Sequence, residues 1–148
     1  MLDRTDVIRV MDALNGGVIG IKGPSALEAP VGRLVLAGRF GDTQQLMVDV
    51  CSALGWVYEP VDAVRTNLND MDWDSPLNDK IVHAAVSETR TWMFVFSGVN
   101  ERFLKDKESL RRLAWIATNS VVVILADAIP GEGIPGWGTL DLTASRKG

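Results

Sequence analysis

Residues 121–125, Val-Val-Val-Ile-Leu, decide the fold of this chain of 148 residues. Every side chain in the run is apolar, and all except the last are β-branched. Such a run predicts a strand that is buried on both faces, as in a parallel sheet covered by helices. Residues 34–37 and 92–96 are also apolar and predict two further strands of the same sheet.

Helical patterns separate these strands. The pair Asp42 and Gln45 has capping-box spacing and predicts a helix that runs to residue 54. Ser75, followed by a proline suited to the first helical position, predicts the start of a second helix. A third helix is expected over 106–118, where leucine and alanine recur at helical spacing.

The order of these elements predicts an α/β fold with a small parallel β-sheet of three to four strands, flanked by helices. We expect a single domain over 1–148, with a helical N-terminal extension at 1–30 and an α/β core at 33–126. The tail at 130–148 is rich in glycine and proline, and 139–143 is the candidate for an additional edge strand.

The composition is that of an ordinary globular protein, with 47% hydrophobic and 23% charged residues. The net charge of −4 disfavours a general nucleic-acid binder, which needs an excess of Lys and Arg. A net negative charge suits a basic partner, although many proteins carry one only because it keeps them in solution. A single cysteine, Cys51, excludes an internal disulfide, and neither a signal peptide nor a membrane span is visible. The sequence therefore predicts a cytoplasmic protein.

The segment 67–79, here called the acidic segment, is the strongest candidate for a functional surface. Asp70, Asp72, Asp74 and Asp79 surround Trp73 at the predicted start of the second helix. Carboxylates there are stabilised by free N–H groups and by the helix dipole. A rigid acidic surface with one aromatic anchor suits the binding of a basic protein. The alternative interpretation of the same residues is a solvated loop that only caps the helix.

Sequence motifs for chemistry are weak. The first three aspartates of the acidic segment have EF-hand spacing, but Ser75 replaces the required glycine and Ile81 replaces the bidentate glutamate. His83 is the only histidine, and it falls in the middle of a predicted helix. Cys51 lies in an apolar helical pattern and is expected to be a small buried hydrophobe. We therefore expect a protein that is not an enzyme, with no catalytic residue, metal or cofactor.

Over about 33–126 the chain resembles the barstar family, the intracellular inhibitors of secreted ribonucleases. The family has a strand, a turn, a helix and an aromatic loop, which 56–60 matches here. A signature helix follows, with the pattern Asn-aromatic/Leu-Asp-Ala-Leu-x-Asp, and 72–79 is similar to it with one extra residue. In an alternative register, Asn67-Leu68 and Trp73-Asp74 match the Asn-Leu and Trp-Asp of the family.

The resemblance implies an inhibitor or immunity protein that blocks a basic ribonuclease or toxin. In the family, aspartates mimic substrate phosphates and meet catalytic Arg, Lys and His residues of the nuclease. Those roles would fall on Asp74 and Asp79, with Trp73 as the aromatic contact. Tyr58 would stand for the tyrosine of the family's aromatic loop.

Two other functions remain open. The first is an adaptor or assembly subunit of a secretion, phage or defence complex, which would dock through its N-terminal helix and its tail. The second is a small α/β ligand-binding domain or enzyme that uses the carboxyl edge of the sheet, where 38–42, 97–101 and 126–133 converge. Among the tryptophans, Trp73 and Trp137 are the candidates for surface exposure, and the others are expected in the core.

Overall fold

The computed structural model describes residues 4–14, 32–70, 73–87, 90–129, 134 and 137–143. None of the helices in these ranges is both long enough and apolar enough to cross a membrane. The elements, in chain order, are α1 (Arg4–Leu14), β1 (Arg33–Ala37), α2 (Phe40–Leu54), β2 (Val57–Asp62), α3 (Ser75–Val86), β3 (Trp92–Ser97), α4 (Glu101–Leu104), α5 (Lys107–Ile116), β4 (Val121–Ala126) and β5 (Gly138–Asp141). A 3-10 turn, Leu68–Asp70, lies between β2 and α3.

The strands form one sheet in the order β2-β3-β4-β1-β5, and every neighbouring pair is parallel. The α/β fold predicted from the sequence is confirmed. The predicted number of strands, three to four, is wrong because the sheet has five. The expected edge strand near 139–143 is present as β5, so the strand that was missed is β2.

The sequence predicts a loop at 56–60, with Trp56, Tyr58 and Pro60, but residues 57–60 belong to strand β2. Its position explains how proline is tolerated. β2 lies at the edge of the sheet and pairs only with β3, where Pro60 is opposite Val95. A proline in an edge strand need not donate a ladder hydrogen bond on its open side, so Pro60 costs the sheet little.

Helices cover both faces of the sheet, and each face has its own buried cluster. On one face, α1 and α2 pack against β1, β3 and β4 through residues Val10, Leu34, Leu36, Leu46, Met47, Val50, Cys51, Met93, Val95, Val121, Val123, Leu125 and Leu142. On the other face, α3, α4 and α5 pack against the same strands through residues that include Val35, Leu77, Ile81, Phe94, Phe96, Phe103, Leu113, Ile116, Val122 and Ile124.

Both ends of the chain contribute to these clusters. Val10 of α1 and Leu142, just after β5, belong to the first cluster, and α1 packs against α2 and β5. Ile134 and Trp137 belong to the second cluster, so Trp137 is not the exposed residue that its glycine-rich neighbours suggested. Residues 1–3, 15–31, 130–133, 135–136 and 144–148 of the expected extension and tail lie outside the described residues.

The start of α2 differs from the capping-box prediction. The helix begins at Phe40, its cap residue is Arg39, and no side chain caps it, so Asp42 lies inside the first turn. Thr43 closes the corner instead, since its hydroxyl donates to the Arg39 and Phe40 carbonyls at 3.1 Å. A Cβ on Gly38 would lie 2.8 Å from the Thr43 methyl group, which is why glycine occupies this tight turn.

Replacing Ile124 with alanine tests the two-sided burial of β4. Ile124 is fully buried between Phe96 of β3 and Val35 of β1 in the ladder. We expect the free energy of unfolding, measured by urea denaturation, to fall by about 2–5 kcal/mol. The control Val86→Ala, at an exposed site on α3, is expected to change it by less than about 0.5 kcal/mol. Equal effects of the two substitutions would contradict the packing described.

Candidate functional site

The acidic segment follows the carboxyl end of β2 through a tight turn. Asp62, the last residue of β2, accepts hydrogen bonds from the backbone N–H groups of Val64 and Arg65 at 3.0 and 3.4 Å. The 3-10 turn comes next, and its first residue, Leu68, is completely buried. The chain is therefore fixed at both ends of the turn before the aspartates begin.

Asn69 attaches the segment to the neighbouring strand connection. Its side-chain amide donates to the carbonyl of Gly98 at 2.8 Å and accepts from the backbone N–H of Asn100 at 2.9 Å. Gly98 has φ +72°, a left-handed conformation that glycine adopts without strain. Asn100 in turn caps α4 by accepting from the N–H of Phe103. One amide thus joins the acidic segment to the connection between β3 and α4.

Trp73 lies in the core, contrary to the surface position suggested by its polar neighbours. Only 7% of it is exposed, and its ring stacks on Phe103 with 6.4 Å between the centroids. The guanidinium carbon of Arg112 lies 3.8 Å above the centroid of the indole ring. The indole N–H makes no hydrogen bond within the described part of the chain, so packing and the cation–π contact hold the side chain.

Asp74 is the cap of α3, the position that the sequence assigned to Ser75. Its carboxylate accepts from the N–H of Leu77 at 2.9 Å, and Ser75 and Pro76 form the first turn of the helix. Proline at the second helical position is tolerated because the N–H groups there have no partner inside the helix. The carboxylate of Asp74 therefore has a structural role, whatever it contacts outside the protein.

The six predicted contact residues do not share one surface. Asp70 and Asp79 are exposed, Asp74 is half-buried and Trp73 is buried. Asp72 lies outside the described residues. Tyr58 packs on the opposite face of the sheet, against the cluster that contains α2. Burial raises the pKa of the Tyr58 phenol above its ordinary value, and the side chain of Gln44 lowers it by a smaller amount.

The side chains considered for catalysis occupy ordinary structural positions. Cys51 is buried beside Met93, and burial raises the pKa of its thiol to about 11, so the small-hydrophobe prediction is confirmed. His83 is exposed on α3 and contacts the edge of the Trp92 ring. Within the described ranges, no three His, Cys, Asp or Glu side chains are grouped so that they could hold a metal ion.

A cleft between α3 and α5, here called the α3–α5 cleft, was missed by the sequence prediction. Its volume is about 300 Å³. Its lining residues are Trp73, Asn78, Ile81, Arg111, Arg112, Trp115 and Ile116. Trp115, which was expected in the core, is 55% exposed. The exposure of Trp115 could have been predicted from the helical period. Leu113 and Ile116 are buried, and a residue at position 115 then lies on a different side of the helix, away from the core.

The N-terminus of α5, the helix that supplies most of this cleft, is well fixed. Asp106 caps the helix by accepting from the backbone N–H and the hydroxyl of Ser109, both at 2.8 Å. These hydrogen bonds lower the pKa of the Asp106 carboxyl below its ordinary value. Leu113 and Ile116 are buried against the sheet, so the outward residues of α5 project from a rigid helix.

A second pocket, here called the sheet-edge crevice, lies at the carboxyl ends of the strands and has a volume of about 430 Å³. Its lining residues are Gly38, Phe40, Thr43, Asp62, Ser97, Gly98, Val99, Leu125, Ala126 and Asp127. The chain leaves β1 towards α2 on one face, and it leaves the adjacent β4 towards Ile134 and Trp137 on the other. Ligands in α/β proteins commonly bind at such a reversal.

No family model matches this chain, and no curated protein is significantly similar to it.

Substitutions at Asp74 separate its charge from its capping role. We expect Asp74→Ala to lower the free energy of unfolding by about 1 kcal/mol, because the N–H of Leu77 loses its acceptor. Asp74→Asn retains an acceptor and should retain most of the stability. Chemical denaturation measures both, with the exposed Asp79→Ala as the control. If the Asn and Ala variants lose the same stability, the assigned capping hydrogen bond is not the cause.

Proposed function

We propose that the protein is an inhibitor or immunity protein that binds a basic nuclease or toxin through its acidic segment. The observation that supports this proposal is that the segment is held in place at three described residues. Leu68 and Trp73 are buried, while the amide of Asn69 bonds to the next strand connection. A backbone that is already held at these points loses less conformational entropy on binding, which is a principal cost of association.

The local charge supports a basic partner. The acidic segment contains no Lys or Arg. Lys80 follows it on α3, but its ammonium pairs with Glu59 of β2 at 2.8 Å, so its charge is largely neutralised. The carboxylates of Asp70 and Asp79 are exposed and make no ion pair with any residue that the structure describes, so their charges are available to steer a basic partner into contact.

Burial changes the role proposed for Trp73. In the resemblance to the barstar family it was the aromatic contact, but a residue that is 7% exposed offers little surface to a partner. We assign it the role of an internal anchor that holds Asp74 and the start of α3 in place. Asp70 and Asp79 then become the principal contact residues. Asp74 is a secondary contact, because its carboxylate already accepts the capping hydrogen bond from Leu77.

Charge removal at Asp70 and Asp79 tests the proposal. Tagged full-length protein is first used to capture partners from extracts of its source organism, and these are identified by mass spectrometry. We expect to capture a small basic protein that has nuclease activity when it is isolated. In the complex with the tagged protein, we expect that activity to be suppressed. For Asp70→Asn with Asp79→Asn we expect association to be about tenfold slower and less sensitive to salt in stopped-flow measurements.

Asp49→Asn is the matched control, because Asp49 is an exposed aspartate on α2, across the sheet from the acidic segment. It should leave the association rate unchanged. Equal rates for the double variant and the wild type would refute the site. Capture of a large complex without a basic subunit would instead support the adaptor alternative.

The sheet-edge crevice supports a second candidate function, a small-molecule binding domain. The turn between β1 and α2 holds only Gly38 and Arg39, and it is filled by Thr43. It lacks the long glycine-rich loop and the lysine that surround phosphates in nucleotide-binding proteins. Together with Asp127 on the rim, this favours a neutral or cationic ligand over a phosphate.

Thermal-shift measurements distinguish these ligand classes. We expect adenosine or a primary amine to raise the melting temperature of the full-length protein more than ATP does. The reason is that the crevice lacks a phosphate-binding loop and has the carboxylate of Asp127 on its rim, so the phosphates of ATP disfavour binding. Asp127→Asn should reduce the shift given by the amine. The absence of a shift with neutral, cationic and phosphorylated compounds alike would remove this candidate.

A further inference from the structure

Three of the seven large apolar side chains that are exposed in the described part of the chain lie on α3 and α5, the two helices of the α3–α5 cleft. Trp115 is 55% exposed on α5, above a floor that contains the buried side chains of Ile81 and Ile116. Val82 and Val86 of α3 are 57% and 70% exposed. They follow the cleft residue Asn78 at four-residue spacing, so they continue the same side of the helix beyond the cleft. The apolar surface is thus elongated.

The arginines of the cleft have unused hydrogen-bonding capacity. The guanidinium carbon of Arg112 lies 3.8 Å from the centroid of the Trp73 ring, and the side chain makes no ion pair with any residue that the structure describes. This cation–π contact holds the guanidinium over the indole ring and leaves its N–H groups free to donate to a carboxylate. Arg111 pairs only with Glu108, at 3.4 Å on the surface, a contact that contributes little and is easily exchanged.

We propose that the α3–α5 cleft binds an amphipathic acidic helix of a partner protein, with an apolar side chain packed against Trp115 and a carboxylate paired with Arg112. An apolar row flanked by an unpaired arginine is the complement of such a helix. The inference does not depend on the proposed inhibitor function: Trp73 and Asn78 belong to both regions, but the contacts proposed here are made by Trp115 and Arg112, not by Asp70 and Asp79, and the partner segment has the opposite charge.

Two other occupants fit less well. A small organic anion would fill the volume of about 300 Å³ but would leave Val82 and Val86 in water. Single-stranded nucleic acid could stack on Trp115, but such sites follow a positively charged groove. Here the net charge is −4, and the cationic residues among those that line the cleft are two, Arg111 and Arg112.

A displayed peptide library provides the probe. Random peptides of about 14 residues, long enough for four helical turns, are selected on immobilised full-length protein. We expect the enriched peptides to carry large apolar residues at spacings of three and four, together with Asp or Glu. Enrichment of basic peptides only, or of none, would overturn the proposal.

Variants locate the binding site. By fluorescence anisotropy, Trp115→Ser should weaken a selected peptide at least about tenfold, as expected for a central aromatic contact. Ile8→Ser is the matched control, because Ile8 is half exposed on α1, which packs on the opposite face of the sheet. Equal affinity of the Trp115→Ser variant and the wild type would overturn the site.

Charge exchange tests the assigned ion pair. Arg112→Glu should weaken binding of the acidic peptide, and a peptide with its carboxylates replaced by lysines should recover affinity for this variant but not for the wild type. Circular dichroism confirms that the variant is folded, and Arg112→Gln serves as a milder replacement if it is not. Binding of a small carboxylate such as benzoate with the same dependence on Trp115 and Arg112, but of no peptide, would assign the cleft to a small ligand and overturn the proposal.

Discussion

Burial of the central strands on both faces is the constraint on which the rest of the structure depends. β4 lies between β3 and β1, and its side chains alternate between the two buried clusters: Val121, Val123 and Leu125 face α1 and α2, while Val122 and Ile124 face α3 to α5. Each buried branched side chain contributes about 1.5–3 kcal/mol relative to exposure. Because both faces are apolar, both must be covered from water. Helices α1 and α2 cover one face, and α3 to α5 cover the other.

That covering also creates the candidate surfaces. The chain between β2 and α3 must cross the carboxyl end of the sheet, and it is held there by Leu68 and Trp73, which enter the core beside Phe103. Asp70, between these anchors, and Asp79, after them, remain exposed. The same indole forms a wall of the α3–α5 cleft, where Arg112 lies over it. One buried tryptophan therefore links the acidic segment to the cleft.

Local signals predicted the interior of the fold better than its edges. The apolar runs at 92–96 and 121–125 gave two strands correctly, because burial on both faces removes every polar residue from such strands. β2 was missed because an edge strand tolerates Pro60 and because its exposed positions hold polar residues. The cap of α3 was assigned one residue late, since Asp74 and Ser75 are both favoured there and only the hydrogen bond to Leu77 distinguishes them.

The sequence by itself determined the α/β class, the parallel sheet and the position of the acidic segment at the start of α3, because periodicity and capping are local properties of the chain. Only the tertiary structure decided which side chains share a surface. It buried Trp73, exposed Trp115 and placed Tyr58 across the sheet from the aspartates. The reason is physical: exposure depends on which elements pack against each other, and that information lies in contacts between residues far apart in the chain.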